Sequence, residues 1–409
     1  MPEQNLTKTL VRSSITPLDV RVLIAMGLGL LLAACGGDDS NSTTSTATHS
    51  TAGIPDTTVT TSAPAAPTEE PILNVYNWSD YIATDTIANF EKETGIKVRY
   101  DVFDSNEVLE AKLLAGNTGY DVVVPSANFV ARQIKAGIFR TLDKNKLPNY
   151  KNLDPAVMHI LAGYDADNRH VLPYLWGTTG IGYNVAKIKE RMNDAPLNSW
   201  DMVLKPEIVA RFKDCGVAML DAPSEVVPIM LRYLGLPTDS QTEADLVRAE
   251  AALMQVRPYI RYFHSSQYLN DLANGELCVV LGWSGDVFQA RDRAAEANNG
   301  QDIAYVIPKE GTLMWFDTMA IPKDAQHVEN AYKFLDYIMR AEVTAAISSQ
   351  MRYANANLAA TPKLDPKVAN DASIHPDAAT RTTLFPNVVN PPDYDRLVTR
   401  AWTRIKTNQ

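Results

Sequence analysis

The chain has 409 residues, of which 45% are hydrophobic and 21% charged. That is the balance of a soluble globular protein of about two domains plus tails. A formal net charge of -10 and a pI near 5.2 leave no basic face to track phosphates, which argues against nucleic-acid binding; a negative field weakly favours cationic ligands.

Val22 to Ala34 is an apolar run behind Lys8, Arg12 and Arg21. It falls short of the roughly 20 apolar residues that a membrane span needs. Basic flank, short apolar core and small residues before a cut read as a secretory signal. The end of the run, Leu32-Ala33-Ala34-Cys35, resembles the bacterial lipobox, in which the cysteine is lipidated and becomes the mature N-terminus. The alternative is an ordinary signal peptide that happens to contain a cysteine. Gly36 to Glu70 is rich in Ser, Thr, Ala and Pro without apolar periodicity, so it cannot bury enough surface to offset the entropy of ordering. The expected organisation is a lipoprotein signal peptide over 1–34, a lipid-anchored flexible linker over 35–70 and a folded body from Pro71. Gly36 stands where a common inner-membrane retention signal has Asp.

The body opens with Leu73 to Tyr81, a stretch that begins as a strand and runs out into Trp78-Ser79-Asp80-Tyr81. A short helix over Thr84 to Glu93 is closed by Gly95. Ile96 to Val102 alternates as a strand, and Ser105 caps a helix ended by Gly116. Asp121 to Val124 is a compact apolar strand that runs into Pro125-Ser126. Strands alternating with helices imply a parallel sheet flanked on both faces. Tyr174 to Tyr183 reads as an extended crossing between lobes, and no Gly-Lys-Ser/Thr follows its glycines, so a phosphate loop is not indicated. A second α/β unit spans Trp200 to Leu281, with Leu246, Ala249, Leu253 and Val256 on one helix face. Leu277 to Leu281 is a buried strand ending in Gly282-Trp283-Ser284-Gly285-Asp286. Ala304 to Pro308 and Met319 to Pro322 read as short strands with Trp315-Phe316-Asp317 between them. Amphipathic Val328 to Met339 and a closing helix over Tyr394 to Ile405 follow. Cys215 and Cys278, an even pair in an exported chain, are consistent with a disulfide.

Three clusters join an aromatic ring to an acid: Trp78-Ser79-Asp80, Trp283-Ser284-Gly285-Asp286 and Trp315-Phe316-Asp317. A buried ammonium needs a carboxylate, because an unpaired buried ion costs several kcal/mol. Aromatic faces add about 0.5–2 kcal/mol each by cation–π attraction, and buried methylenes about 0.8 kcal/mol apiece. An aromatic box with acids at both ends suits a linear polyamine. An amino-acid ligand would want an Arg for its carboxylate, and none of the clusters carries one. Gly282-Trp283-Ser284-Gly285-Asp286 lacks the last Gly of a nucleophile elbow and has no evident His partner. The histidines have no metal-ligand spacing. No catalytic residue, metal site or cofactor is expected, and a secreted hydrolase is disfavoured.

From about Leu73 to Lys406 the chain resembles the periplasmic polyamine-binding proteins of ABC importers, closest to the putrescine-binding branch. The matching segments are Asn77-Trp78-Ser79-Asp80-Tyr81-Ile82, Val124-Pro125-Ser126-Ala127, Asp221-Ala222-Pro223-Ser224-Glu225-Val226, Tyr262-Phe263-His264-Ser265-Ser266-Gln267-Tyr268, Gly282-Trp283-Ser284-Gly285-Asp286-Val287, Phe316-Asp317 and Tyr353-Ala354-Asn355-Ala356-Asn357. The resemblance implies a two-lobed, type II-like periplasmic-binding-protein fold of the α/β class, with central mixed sheets flanked by helices and ligand in the interlobe cleft. The expected limits are 71–176 with 308–345 for one lobe, 177–307 for the other, and 346–409 packing across both. It implies an aromatic box of Trp78, Trp283, Trp315 and Tyr353. One amine would meet Ser79 and Asp317; the other would meet Asp286, Glu225 and Ser265, partly through water. Ser126, Asp80 and Tyr81 would line the same cleft. It also implies a Cys215–Cys278 disulfide, a monomer, a periplasmic location with membrane attachment through Cys35, and delivery of putrescine to a permease whose ATPase is a separate chain. Trp315 stands where the putrescine branch usually has Phe and the spermidine branch Trp, and Asn128 replaces a residue that is commonly Ser. Spermidine or dual binding is therefore the alternative to putrescine, and a polyamine sensor uncoupled from transport is the alternative role.

Overall fold

The computed structural model describes residues 69–409, which lie in a compact unit spanning Ala65–Gln409. The expectations for the signal peptide, for the linker up to residue 68 and for Cys35 lie outside the described residues. Among the described residues no helix is long and apolar enough to cross a membrane.

β1 (Ile72–Trp78) buries Leu73 and Val75 and pairs in parallel with β2 (Lys97–Phe103) and β3 (Val122–Val123). Helix Thr86–Thr94 links β1 to β2 and ends at Gly95, whose φ of 72° supplies the left-handed C-cap. Ser105 accepts the amide of Val108 and so starts helix Asn106–Ala115, as its position in the sequence predicts. β4 (Val171–Asn184) is the long crossing strand. β5 (Val217–Met219), β6 (Tyr262–Phe263), β7 (Val279–Trp283), β8 (Ile303–Val306) and β9 (Leu313–Ala320) complete the main elements, with β10 (Ala354–Asn355) and β11 (Phe385–Pro386) added at the margins. The strand order is β2-β1-β3-β9-β4-β7-β5-β6, with β8 and β10 pairing β4 and β11 pairing β9.

Strand–helix alternation implied a parallel sheet. The observed sheet is mixed, because β9 lies antiparallel to both β3 and β4, and β4 lies antiparallel to β7. The chain passes along the sheet on an extended strand at β4 and returns on β9, and such returns reverse strand direction where a crossover helix would have preserved it. β4 also changes partner midway: residues up to Thr178 pair with β9, and Thr179 onward with β7.

Trp315-Phe316-Asp317 is not a link between strands but lies inside β9. Side chains alternate along a strand with period 2, so Trp315 and Asp317 share a face. The sequence reading also lacked helix Ala341–Met351, which leads directly into Tyr353.

The disulfide joins Cys215 and Cys278 (Cα–Cα 5.5 Å). The two residues precede β5 and β7, which pair in parallel from Val217 and Val279. Closing a 63-residue separation removes denatured-state entropy, typically worth about 2–4 kcal/mol. The Cys215→Ala/Cys278→Ala variant is expected to lose about that much in denaturant titration while keeping its ligand affinity.

Candidate functional site

β4 organises the site through its register. Gly177 stands opposite Trp315 of β9, and two residues on Thr179 stands opposite Trp283 of β7. One strand thereby holds two tryptophans from the strands on either side of it, on one face of the sheet. A Cβ at Gly177 would lie 2.8 Å from the Trp315 ring and 2.9 Å from the Tyr353 ring. Only glycine lets the strand come this close.

The third tryptophan ends β1. The Trp78 indole N–H donates to the Val124 carbonyl (2.9 Å), and its ring meets Trp283 edge-on with centroids 5.4 Å apart. These rings and Trp315 line a cleft of about 460 Å³. Ser79, Asp80 and Tyr81 continue from Trp78 along the same wall, and Ser126, Glu225, Ser265, Asp286 and Asp317 complete the residues singled out in the sequence. Tyr353 stands one layer behind: it is 1% exposed, its ring packs on Trp315 and Tyr81, and its hydroxyl bonds Asp286. Phe103, Asp104 and Ser266 also line the cleft. Sequence reading missed them, although Phe103 ends β2 opposite Trp78 and Asp104 follows it, so the rule that ligands bind beyond carboxyl ends of strands would have found them.

Three carboxylates are buried in this cleft. Asp317 accepts from Tyr81 Oη (2.8 Å) and Ser126 Oγ, and Ser126 is itself fixed by Asn106. Asp286 accepts from Tyr268 Oη (2.8 Å) on one oxygen and Tyr353 Oη (2.7 Å) on the other. Glu225 accepts from the Trp283 indole N–H (3.0 and 3.1 Å) and from the Thr179 hydroxyl. Every donor is neutral; among the described residues no Lys or Arg pairs with any of the three. Burial pushes Asp317, Asp286 and Glu225 each up to about 7, with these hydrogen bonds only partly opposing it. Asp286 and Glu225 also occupy the first turns of helices Ser284–Glu296 and Pro223–Tyr233, where the helix dipole favours the anion. The cleft therefore holds negative charge ready without a protein cation to satisfy it. Asp80 differs: Arg293 pairs with it at 2.6 Å at the solvent-exposed rim.

Tyr268 and Thr179 were not visible as site residues in the sequence. Tyr268 is fully buried, and its hydroxyl also accepts the Trp283 amide (3.1 Å), tying the Asp286 carboxylate to the Trp283 backbone. Trp315 contributes a buried indole N–H with no protein acceptor. Among the described residues no cluster of His, Cys, Asp and Glu could hold a metal ion.

The fold is that of the extracytoplasmic binding proteins. Solved structures that it matches include the spermidine/putrescine ABC transporter substrate-binding protein PotD of Streptococcus pneumoniae (26% identity, TM-score 0.65, covering 82% of this chain and 99% of that one) and the TpPotD lipoprotein of Treponema pallidum (26%, TM-score 0.66, 82% and 99%). Among curated relatives, the putrescine-binding periplasmic protein PotF of Escherichia coli is 55% identical over 344 residues (83% of this chain, 93% of that protein), and SpuD of Pseudomonas aeruginosa, likewise putrescine-binding, is 51% identical over 339 residues (83% and 92%). Residues 85–376 match the family model described as bacterial extracellular solute-binding protein. The chain belongs to that family, whose members matched here are transport binding proteins and not enzymes.

Tyr268→Phe removes one of the two phenol donors to Asp286 and the acceptor of the Trp283 amide. We expect ligand affinity to fall about tenfold, the worth of one hydrogen bond to a charged group. Calorimetric titration measures it, with circular dichroism reporting the fold.

Proposed function

We propose that the protein captures a linear polyamine, putrescine foremost, in this cleft outside the cytoplasmic membrane and hands it to the permease of an ABC importer. The observation that carries the reading is the set of three buried carboxylates compensated by neutral donors alone, framed by Trp78, Trp283 and Trp315. One ammonium meets Asp317 with Ser79 nearby, the other Asp286 with Glu225 and Ser265, and the rings sandwich the methylenes. The names of the relatives, putrescine-binding at 51–55% identity, support the same ligand. The change of partner along β4 at Thr178/Thr179 supports a hinge between lobes near the sequence limit at 176/177, with closure bringing both carboxylate groups onto the ligand. Attachment through Cys35 is supported by Leu32-Ala33-Ala34-Cys35 and by the lipoprotein name of the Treponema relative.

Titration calorimetry with putrescine, cadaverine, spermidine and arginine tests the assignment: the diamines bind and arginine does not, whereas no polyamine binding would overturn it. Asp286→Asn should weaken putrescine at least about 30-fold, since a buried ammonium loses its anion.

The acids also set the pH dependence. Each carboxyl is raised in the empty folded protein, so below about 7 the cleft holds protons that a dication must displace. Affinity therefore falls as pH drops from 8 to 5.5. Stability of the empty protein runs the other way: the folded state binds more protons than the unfolded chain between the ordinary carboxyl range and about 7, so it loses stability as pH rises through that window. Thermal melts with and without putrescine should accordingly converge at pH 5 and separate at pH 8.

A further inference from the structure

Counting charges in the cleft leads one step beyond the polyamine reading, on which this inference rests. Glu225 and Asp286 are each 7% exposed and Asp317 is 4% exposed, and all three line the one cleft. A diammonium ligand brings two positive charges to these three carboxylates. A third carboxylate left ionised and unpaired in a dry site costs several kcal/mol. It must therefore hold a proton or meet a third ammonium.

We propose that Glu225 counts the ligand's charge: it keeps one proton when a linear diamine fills the cleft and releases it to solvent when a linear triamine does. The surroundings single out Glu225. The negative charges of Asp317 on β9 and Glu107 on helix Asn106–Ala115 both oppose its ionisation. The phenols of Tyr268 and Tyr305 are neutral neighbours. Asp286, by contrast, has one acid, Asp80, opposing its anion and a base, Arg293, favouring it. The basic groups of the neighbouring segments are engaged with other partners. Arg132 is held by Glu110 and Asp395 at 2.5 Å each. His264 lies 3.9 Å from Asp104 through Nε2, and its Nδ1 accepts the amides of Ser266 and Gln267. When Glu225 carries its proton, the Thr179 hydroxyl that otherwise donates to it turns to accept.

The lining supplies a place for the third ammonium. Asp104, Ser265 and Ser266 share the cleft with Glu225, and all offer oxygen acceptors. Ser265 is 3% exposed, whereas the Asp104 side chain is 41% exposed, so this end of the cleft opens to water and can admit the extra length. A diamine leaves it to solvent. In a triamine complex three ammonium groups balance the three buried carboxylates, all ionised, with Asp104 at the open end, and the displaced proton leaves with the buffer.

Calorimetry at pH 7 in two buffers of different ionisation enthalpy, with putrescine and with spermidine, counts the protons released. About one more proton per site should be released with spermidine than with putrescine. In Glu225→Gln the difference should vanish, with spermidine weakened by about 30-fold or more and putrescine by less than about tenfold. Equal proton counts for the two ligands in the unmodified protein would overturn the proposal. So would spermidine failing to bind where putrescine does, or Glu225→Gln weakening both alike. The wild-type proton count decides the matter even where the variant does not fold. If neither amine binds the unmodified protein, it is the polyamine reading that fails.

Discussion

Desolvated negative charge is the constraint on which the site depends. Glu225, Asp286 and Asp317 sit in a cleft of indole and phenol rings, and hydroxyls or indole N–H groups are their partners. Such donors orient a carboxylate and lessen its desolvation penalty without cancelling its charge. An arginine in the same place would have made a stable ion pair and a site with nothing left to attract a cation. The cleft gives up stability in its empty state, and ligand binding recovers it.

Most of the scaffold serves to converge these groups. Asp317 comes from β9, Asp286 from the helix that follows β7, and Glu225 from the helix that follows β5. β4 runs between β9 and β7, so its register sets the spacing of Trp315 and Trp283. Gly285 belongs to the same device: a side chain there would overlap the Tyr353 ring, whose hydroxyl positions Asp286.

The parts of the site that were legible in the sequence are those carried by a local pattern. Trp78-Ser79-Asp80 and Trp283-Ser284-Gly285-Asp286 follow apolar strands, and a Trp-acid cluster at a strand end is unusual enough to notice. Trp315 and Asp317 were recognised as residues but placed in a link. Their common face became clear only with β9 as one continuous strand. Tyr268, Tyr353 and Thr179 illustrate what local patterns leave out. Tyr353 entered through resemblance as a box member, and its hydroxyl bond to Asp286 spans 67 positions in sequence. Thr179 reaches Glu225 across 46. Partnerships of that kind depend on strand register and helix placement, which the composition of a short segment does not encode. The mixed sheet came from the resemblance and not from the local pattern, for a related reason: strand–helix alternation reports the crossover units and is silent about an extended strand that returns antiparallel.

The most direct measurement is the titration of the cleft carboxyls themselves, by side-chain carbonyl ¹³C NMR of protein labelled at Asp and Glu, with and without putrescine. Asp286, Asp317 and Glu225 should titrate near 7 in the free protein, and Asp286 and Asp317 should move to well below their free values once the diamine is bound. Ordinary carboxyl titration in the free protein, unchanged by putrescine, would contradict the account.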